Sequence, residues 1–231
     1  MQHNDNEFNT RRALITGMGV AATGMVAGAV GSASAQGNAP AFQARRHAED
    51  SWLEPGASEH RVFIDSARIV GGLEAVHYAA NILNAHQSTY GGKDDDYSMM
   101  VCFRRFSTPL GYNDAVWEKY GATFSAMLEY PDPATGEAFT RNPVNIEGRR
   151  DLPSMGATID AMAARGVHFA VCSNATRGIS FALAQATKGD ADEIFAELKA
   201  SGVANSRFVP AGVMVTTRAQ EYGYSLLYSG E

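Results

Sequence analysis

The stretch GVHFAVCSNATRGIS, residues 166–180, joins an apolar run to a helical segment and shows the pattern of the whole chain. Residues 167–172 are short, apolar and rich in β-branched and aromatic side chains, which predicts a buried strand. Small polar residues then open the segment NATRGISFALAQATKG at 174–189, which predicts a helix. A helix that directly follows a buried strand is typical of sheets whose strands are joined by crossover helices.

The same alternation extends outward in both directions. Further short apolar runs predict strands at residues 61–65, 97–105, 206–210 and 224–229. Helical spacing and capping signals predict helices near 68–87, 112–120, 154–165, 190–201 and 211–223, with Gly121 ending the second of these. The chain is therefore predicted to be an α/β protein with about five mainly parallel strands, flanked by helices in a three-layer Rossmann-like fold.

The N-terminal segment carries an export pattern. Arg11 and Arg12 precede about twenty weakly hydrophobic residues, and Ala33-Ser34-Ala35 provides the small-x-small site that a signal peptidase reads. Paired arginines before a glycine-rich apolar core are typical of twin-arginine signals. The sequence predicts a signal peptide over 1–35, cleavage after Ala35 and a periplasmic protein; a retained membrane anchor stays open.

The remaining chain is predicted to form one domain. Residues 36–59 show no clear period and are interpreted as a linker or tail, followed by the domain at 60–231. Residues 121–153 are rich in proline and break the alternation of strands and helices, so we interpret them as an insertion or lid.

Composition and motifs narrow the classes of partner. The net charge of −6 argues against a nucleic-acid-binding surface. The histidines are scattered without metal-ligand spacing, and a glycine-rich stretch at 17–22 lacks the acidic residue that dinucleotide binding requires. We therefore expect no metal and no cofactor, and no stable membrane span once the signal is removed.

A functional site is predicted where the parallel strands end. Ligands of open α/β sheets bind beyond the carboxyl ends of the strands, and this rule gathers residues 65–66, 104–107, 172–177 and 210–213 on one rim. Cys172 lies there at a strand-to-helix junction, where helical N–H groups stabilise a thiolate. It can equally be a small buried apolar residue. Cys102 is predicted to be buried inside its strand, and a Cys102–Cys172 disulfide stays open.

Two segments resemble the DsrE/DsrF-like family of sulfur-relay proteins. The first is Cys172-x-x-Ala175-x-Arg177-Gly178. The second is the closing unit FVPAGVMVTTRAQEYGYSLLYSG at 208–230, and IVGGLEAVHYAANILNAH at 69–86 fits the family's first helix. The similarity covers about residues 61–110 and 154–229.

The resemblance implies a Rossmann-like fold and a persulfide-forming cysteine, a role that falls on Cys172. It also implies a homo-oligomer and, as partner, a sulfur donor or acceptor protein or a small sulfur compound. It leaves open whether the protein is a sulfurtransferase or a sulfur carrier. A non-catalytic ligand-binding or assembly module with a structural cysteine is the alternative. The candidate substrate-binding residues on the rim are Arg104, Arg105, Asn174, Arg177, Pro210 and Gly212.

Overall fold

The computed structural model of the protein describes residues 43–54 and 56–230. The predicted signal peptide and its cleavage site lie outside these residues, as do residues 36–42 of the predicted linker. The strands are β1 (His60–Ser66), β2 (Tyr97–Phe103), β3 (His168–Cys172), β4 (Ser206–Val209) and β5 (Ser225–Ser229). The α-helices are α1 (Ile69–Ala85), α2 (Asp114–Leu128), α3 (Ile159–Ala164), α4 (Ser173–Thr187), α5 (Ala191–Ala200) and α6 (Gly212–Glu221).

The strands form one parallel sheet in the order β4-β3-β2-β1-β5. Each apolar run predicted from the sequence is a strand of this sheet. Parallel strands need crossover connections, and the helices between the runs supply them. The predicted fold class, a Rossmann-like α/β fold with helices flanking a parallel sheet, is confirmed.

The two faces of the sheet bury separate cores because successive side chains of a strand point to opposite sides. On β2, Val101 and Phe103 belong to the larger core, which α1 to α5 cover, whereas Met100 and Cys102 face the smaller one. The smaller core is covered by α6 and by a 3-10 helix, Ala48–Leu53, whose Leu53 is fully buried. The segment predicted as a linker or tail thus contributes a packing element to the second face.

All strands run in the same direction, but the side of the sheet on which the next strand is added changes once. From β1 to β4 each new strand is added on the same side, and the connection through α6 then returns to place β5 beside β1. Consequently the helix after β3 covers one face and the helix after β4 covers the other. The carboxyl ends of β3 and β4 form the topological switch point, where open α/β sheets have their ligand crevice.

The second helix is longer than the sequence predicts. Gly121 does not end it, and α2 continues to Leu128. The backbone of residue 139 crosses the helix at Gly121, where a Cβ atom would lie 1.8 Å from the Phe139 carbonyl oxygen. Gly121 is therefore a close-approach residue rather than a helix stop.

The rest of the proline-rich segment packs against the domain. Phe139 and Val144 are buried in the larger core. The Asn142 side chain donates hydrogen bonds of 2.8 Å to the carbonyl oxygens of Leu110 and Tyr112. These contacts tie the segment to the turn that follows β2, and its role as a lid stays a prediction.

Candidate functional site

Cys172 lies at the topological switch point. It is the last residue of β3 and pairs in register with Val209, the last residue of β4. Pro210 follows at once, and its carbonyl oxygen accepts a hydrogen bond of 3.2 Å from the backbone N–H of Asn174. The structure therefore brings Cys172, Asn174 and Pro210 together, as the position of their segments on the rim predicts.

The thiol of Cys172 caps helix α4. Its backbone is extended, as an N-cap residue requires, and its Sγ accepts a hydrogen bond of 3.4 Å from the Ala175 N–H. Cys172 as a whole is only 7% exposed. The sulfur is therefore held against the first turn of α4, where the free N–H groups and the partial positive charge of a helix N-terminus lie.

Two residues outside the predicted site, Tyr112 and Thr176, fix the backbone of Cys172 through hydrogen bonds. The buried Tyr112 hydroxyl donates to Thr176 Oγ1, which donates in turn to the Cys172 carbonyl oxygen, both over 2.9 Å. Burial raises the pKa of Tyr112, so this hydroxyl stays a donor. Thr176 had a signal in the sequence, because a threonine four residues into a helix commonly bonds back to a carbonyl. Tyr112 lies 64 residues before Thr176 in the chain, and no sequence signal predicts their hydrogen bond.

Arg104 is held by a carboxylate at the end of the neighbouring strand. Its guanidinium donates to both oxygens of Asp65, with distances of 2.8 Å from Nε to Oδ1 and from Nη2 to Oδ2. Asp65 is 4% exposed, and the bonds to it raise the pKa of Arg104. The pair ties β1 to β2 at the rim, and the charge of Arg104 is largely neutralised there.

Gly212 allows α6 to approach this pair closely. A Cβ atom at Gly212 would lie 2.7 Å from Arg104 Cβ and 3.2 Å from Cys102 Sγ. Gly212 is therefore part of the packing between α6 and β2. Cys102 is fully buried beneath it, and this burial raises the pKa of the Cys102 thiol well above its usual value.

Arg105 and Arg177 have different surroundings. Arg177 pairs with Asp192 of α5, and its guanidinium carbon lies 3.7 Å from the centre of the Phe195 ring. The structure thus directs its charge toward α5. Arg105 is exposed and lies over its neighbour Phe106, 5.0 Å from the ring centre, and it takes part in none of the ion pairs formed by the described residues.

Both cysteines are free. Cys102 pairs with Ala170, so Cys172 lies two residues further along the adjacent strand. That offset is about 6.6 Å along the strand and about 4.8 Å across it, which separates the two Cα atoms by roughly 8 Å. The separation exceeds the span of a disulfide, so the bond that the sequence left open does not form in this arrangement.

Comparisons of the chain with protein-family models, with curated proteins and with solved structures give no match. Within the described residues, no three potential ligand side chains are grouped as a metal site. None of the helices in the same part of the chain combines the length and apolarity needed to cross a membrane. At the switch point of the sheet the Cys172 thiol caps α4. On the same rim lie Arg104, which pairs with Asp65, and Arg105, which forms no ion pair with a described residue.

Proposed function

We propose that this chain is an exported DsrE/DsrF-like protein that binds or transfers sulfur through a persulfide on Cys172. The observation that carries the proposal is the position of the thiol, which caps α4 where β3 ends beside β4, at the edge of the sheet where ligands of open α/β sheets bind. Cys102 has no such position, because it is fully buried inside β2, and this burial raises the pKa of its thiol.

The proposed reaction is a thiol exchange. The Cys172 thiolate attacks the outer sulfur of a donor persulfide, R–S–SH. A bond forms between Sγ and that sulfur, the bond between the donor's two sulfurs breaks, and the donor leaves as the thiolate R–S⁻. The product is Cys172–S–SH, and no external oxidant or reductant is consumed. An acceptor thiol removes the sulfur by the same exchange.

The rim supplies distinct supports for this reaction. The first turn of α4 stabilises negative charge on the attacking and leaving sulfur. The Arg104–Asp65 pair and Gly212 hold β1, β2 and α6 together at the rim. Arg105 forms no ion pair with a described residue and is available to an anionic donor. The periplasmic location, the homo-oligomer and the identity of the donor stay predictions.

Replacing Cys172 by serine tests the proposal without threatening the fold. Serine is a preferred N-cap residue, so Cys172→Ser keeps an acceptor for the Ala175 N–H. We expect incubation of the full chain with glutathione persulfide to add one sulfur atom to the wild type and to the control Cys102→Ala, as measured by intact mass. We expect none on Cys172→Ser. Equal loading of Cys172→Ser would exclude Cys172 as the acceptor.

The low exposure of Cys172 favours the alternative function, a binding or assembly module with a structural cysteine. The two functions differ in how the folded protein reacts with iodoacetamide. A sulfur carrier requires that Cys172 of the folded Cys102→Ala variant be alkylated. If the thiol reacts only after denaturation, the module is the better description.

A further inference from the structure

An apolar groove runs along α4 beside the candidate site. It is lined by Arg105, Phe106, Met127, Ala175, Gly178 and Ile179 and has a volume of about 280 Å³; we call it the α4 groove. Residues 175, 178 and 179 share one face of α4 because they are three and four positions apart. The opposite wall is formed by the end of α2 and by the turn after β2.

The walls of the α4 groove expose apolar surface. Phe106 is 40% exposed although it is a large aromatic residue, and Met127 is only partly buried. Exposed apolar surface inside a concave site is the usual lining of a small-molecule pocket. The body of a ligand that fits these walls is apolar.

Arg105 brings a positive charge to this lining. Its φ angle is 55°, a left-handed conformation that non-glycine residues rarely adopt. Backbone strain of this kind persists where the surrounding structure imposes it and is concentrated at functional sites. Because Arg105 forms no ion pair with a described residue, its guanidinium is free to bind an anion.

Gly178 keeps the floor of the groove open. It lies inside α4, has no positive φ angle, and a Cβ atom added to it would meet no atom within 4 Å. Neither backbone conformation nor close packing therefore requires glycine here, and glycine is unfavourable in a helix interior. A side chain added at this groove-lining position therefore has open space to occupy.

We propose that the α4 groove binds a small organic anion, a carboxylate or sulfonate with a short apolar body, whose charged group pairs with Arg105. The volume holds roughly nine water-sized groups at about 30 Å³ each, so the ligand is smaller than a typical drug molecule. The groove adjoins the candidate site through Ala175, whose N–H bonds to Cys172 Sγ. The proposal rests on the groove and not on sulfur chemistry.

Benzoate is the probe for the test, with benzylamine and benzyl alcohol as cationic and neutral analogues of nearly the same shape. We expect benzoate, titrated into the ¹⁵N-labelled full chain, to shift the amide signals of Ala175, Gly178 and Ile179. Benzylamine should leave these signals in place, and benzyl alcohol should bind more weakly than benzoate.

Three variants and a matched control decide the outcome. Gly178→Leu fills the groove and should abolish the shifts, while Arg105→Gly should weaken benzoate binding about tenfold, the effect of one charge-assisted pair. Arg150→Ala removes an exposed arginine elsewhere and should change nothing. Cys172→Ser should bind benzoate like the wild type, so this proposal can fail or hold independently of the sulfur proposal.

Two results would overturn the inference. Benzylamine binding as tightly as benzoate would remove the role of Arg105. If Gly178→Leu instead changes the sedimentation coefficient and benzoate gives no shifts in the wild type, the groove is occupied by a second copy of the chain.

Discussion

Arg105 occupies a backbone conformation that costs stability. Its φ angle of 55° brings Cβ close to the carbonyl oxygen, at about 1–2 kcal/mol for a non-glycine residue. Glycine has no Cβ, so we expect Arg105→Gly to raise the free energy of unfolding by about 1 kcal/mol, measured by urea denaturation. The residue proposed to bind the anion would then be one that the fold alone disfavours.

Asn205 provides the matched control for this variant. It also has a positive φ angle, 53°, but its side chain donates a 2.8 Å hydrogen bond to the Ala163 carbonyl oxygen. Asn205→Gly relieves little strain, because asparagine tolerates this conformation, and it loses that bond. We expect it to be neutral or destabilising. A loss of stability in Arg105→Gly as well would show that the arginine side chain contributes packing that outweighs the strain.

For single residues, the sequence predicts where a side chain lies in the fold better than it predicts which residue that side chain contacts. The rim position of Cys172 follows from a strand and a helix that are both local in sequence. The partner of Arg104 does not, because Asp65 lies 39 residues earlier and reaches it only through the pairing of β1 with β2. Local patterns carry no information on which charged residue a neighbouring strand presents. Only the tertiary structure shows that Arg104 is ion-paired and that Arg105 forms no ion pair with a described residue.

Helices α2 and α4 each contain an interior glycine, and the two glycines should respond oppositely to alanine. In α2, the Cβ atom of Gly121→Ala would meet the Phe139 carbonyl oxygen at 1.8 Å. The crossing segment must move, so we expect a loss of about 1–3 kcal/mol, as for other overpacked sites. In α4, Gly178→Ala meets open space and should gain up to about 1 kcal/mol of helix propensity.

Thermal unfolding of the two variants is the measurement, since both make the same chemical change in a helix interior. Opposite shifts in Tm are the expected result. Similar shifts would mean that propensity dominates at both positions and that residues 129–158 do not press on α2 as the contact at Phe139 indicates.

Gly121 also shows where the sequence-based prediction of a helix end is wrong. The sequence predicts Gly121 as a helix stop because glycine commonly ends helices, yet α2 continues for another two turns to Leu128. A glycine that permits close approach can be recognised only from the backbone that crosses it. At Gly121 that backbone belongs to an irregular segment, whose path the sequence pattern does not predict. The strands were easier to predict, since a continuous apolar run between turn signals needs no knowledge of its neighbours.

For the whole molecule, the alternation of strands and helices predicted a parallel sheet but not the order of its strands. The order follows from which faces the connections cover, and apolar runs of similar composition do not specify it. The single reversal through α6 nevertheless places Cys172 at the switch point. The arrangement that gives the candidate site its crevice is therefore a property of the topology rather than of any motif.

The stability of the whole domain should depend on acid pH through carboxylates that are ion-paired or accept backbone hydrogen bonds in the folded state. The hydrogen bonds donated by Arg149 lower the pKa values of Asp132 and Asp151, and the Lys93 N–H lowers that of Asp96. A carboxyl group whose folded pKa lies below its unfolded value stabilises the fold above the unfolded pKa, about 3.9, and loses that contribution as the pH falls through the folded pKa. We expect the free energy of unfolding to be nearly level between about pH 7 and pH 5 and to fall below about pH 4.

Arg149 joins two of these carboxylates, because its Nη2 donates to Asp132 over 2.7 Å and to Asp151 over 2.6 Å. It thereby links an early and a late part of the irregular segment between α2 and α3, residues 129–158. In Arg149→Ala both pKa values should return toward the ordinary range, so the variant should be less stable at pH 7 and should lose less on acidification. The matched control is Arg150→Ala, because Arg150 is exposed and forms no ion pair with a described residue. Urea denaturation of the three proteins at several pH values measures the difference. If the acid slope of Arg149→Ala equals that of the wild type, the acid sensitivity of the domain arises from carboxylates outside this segment.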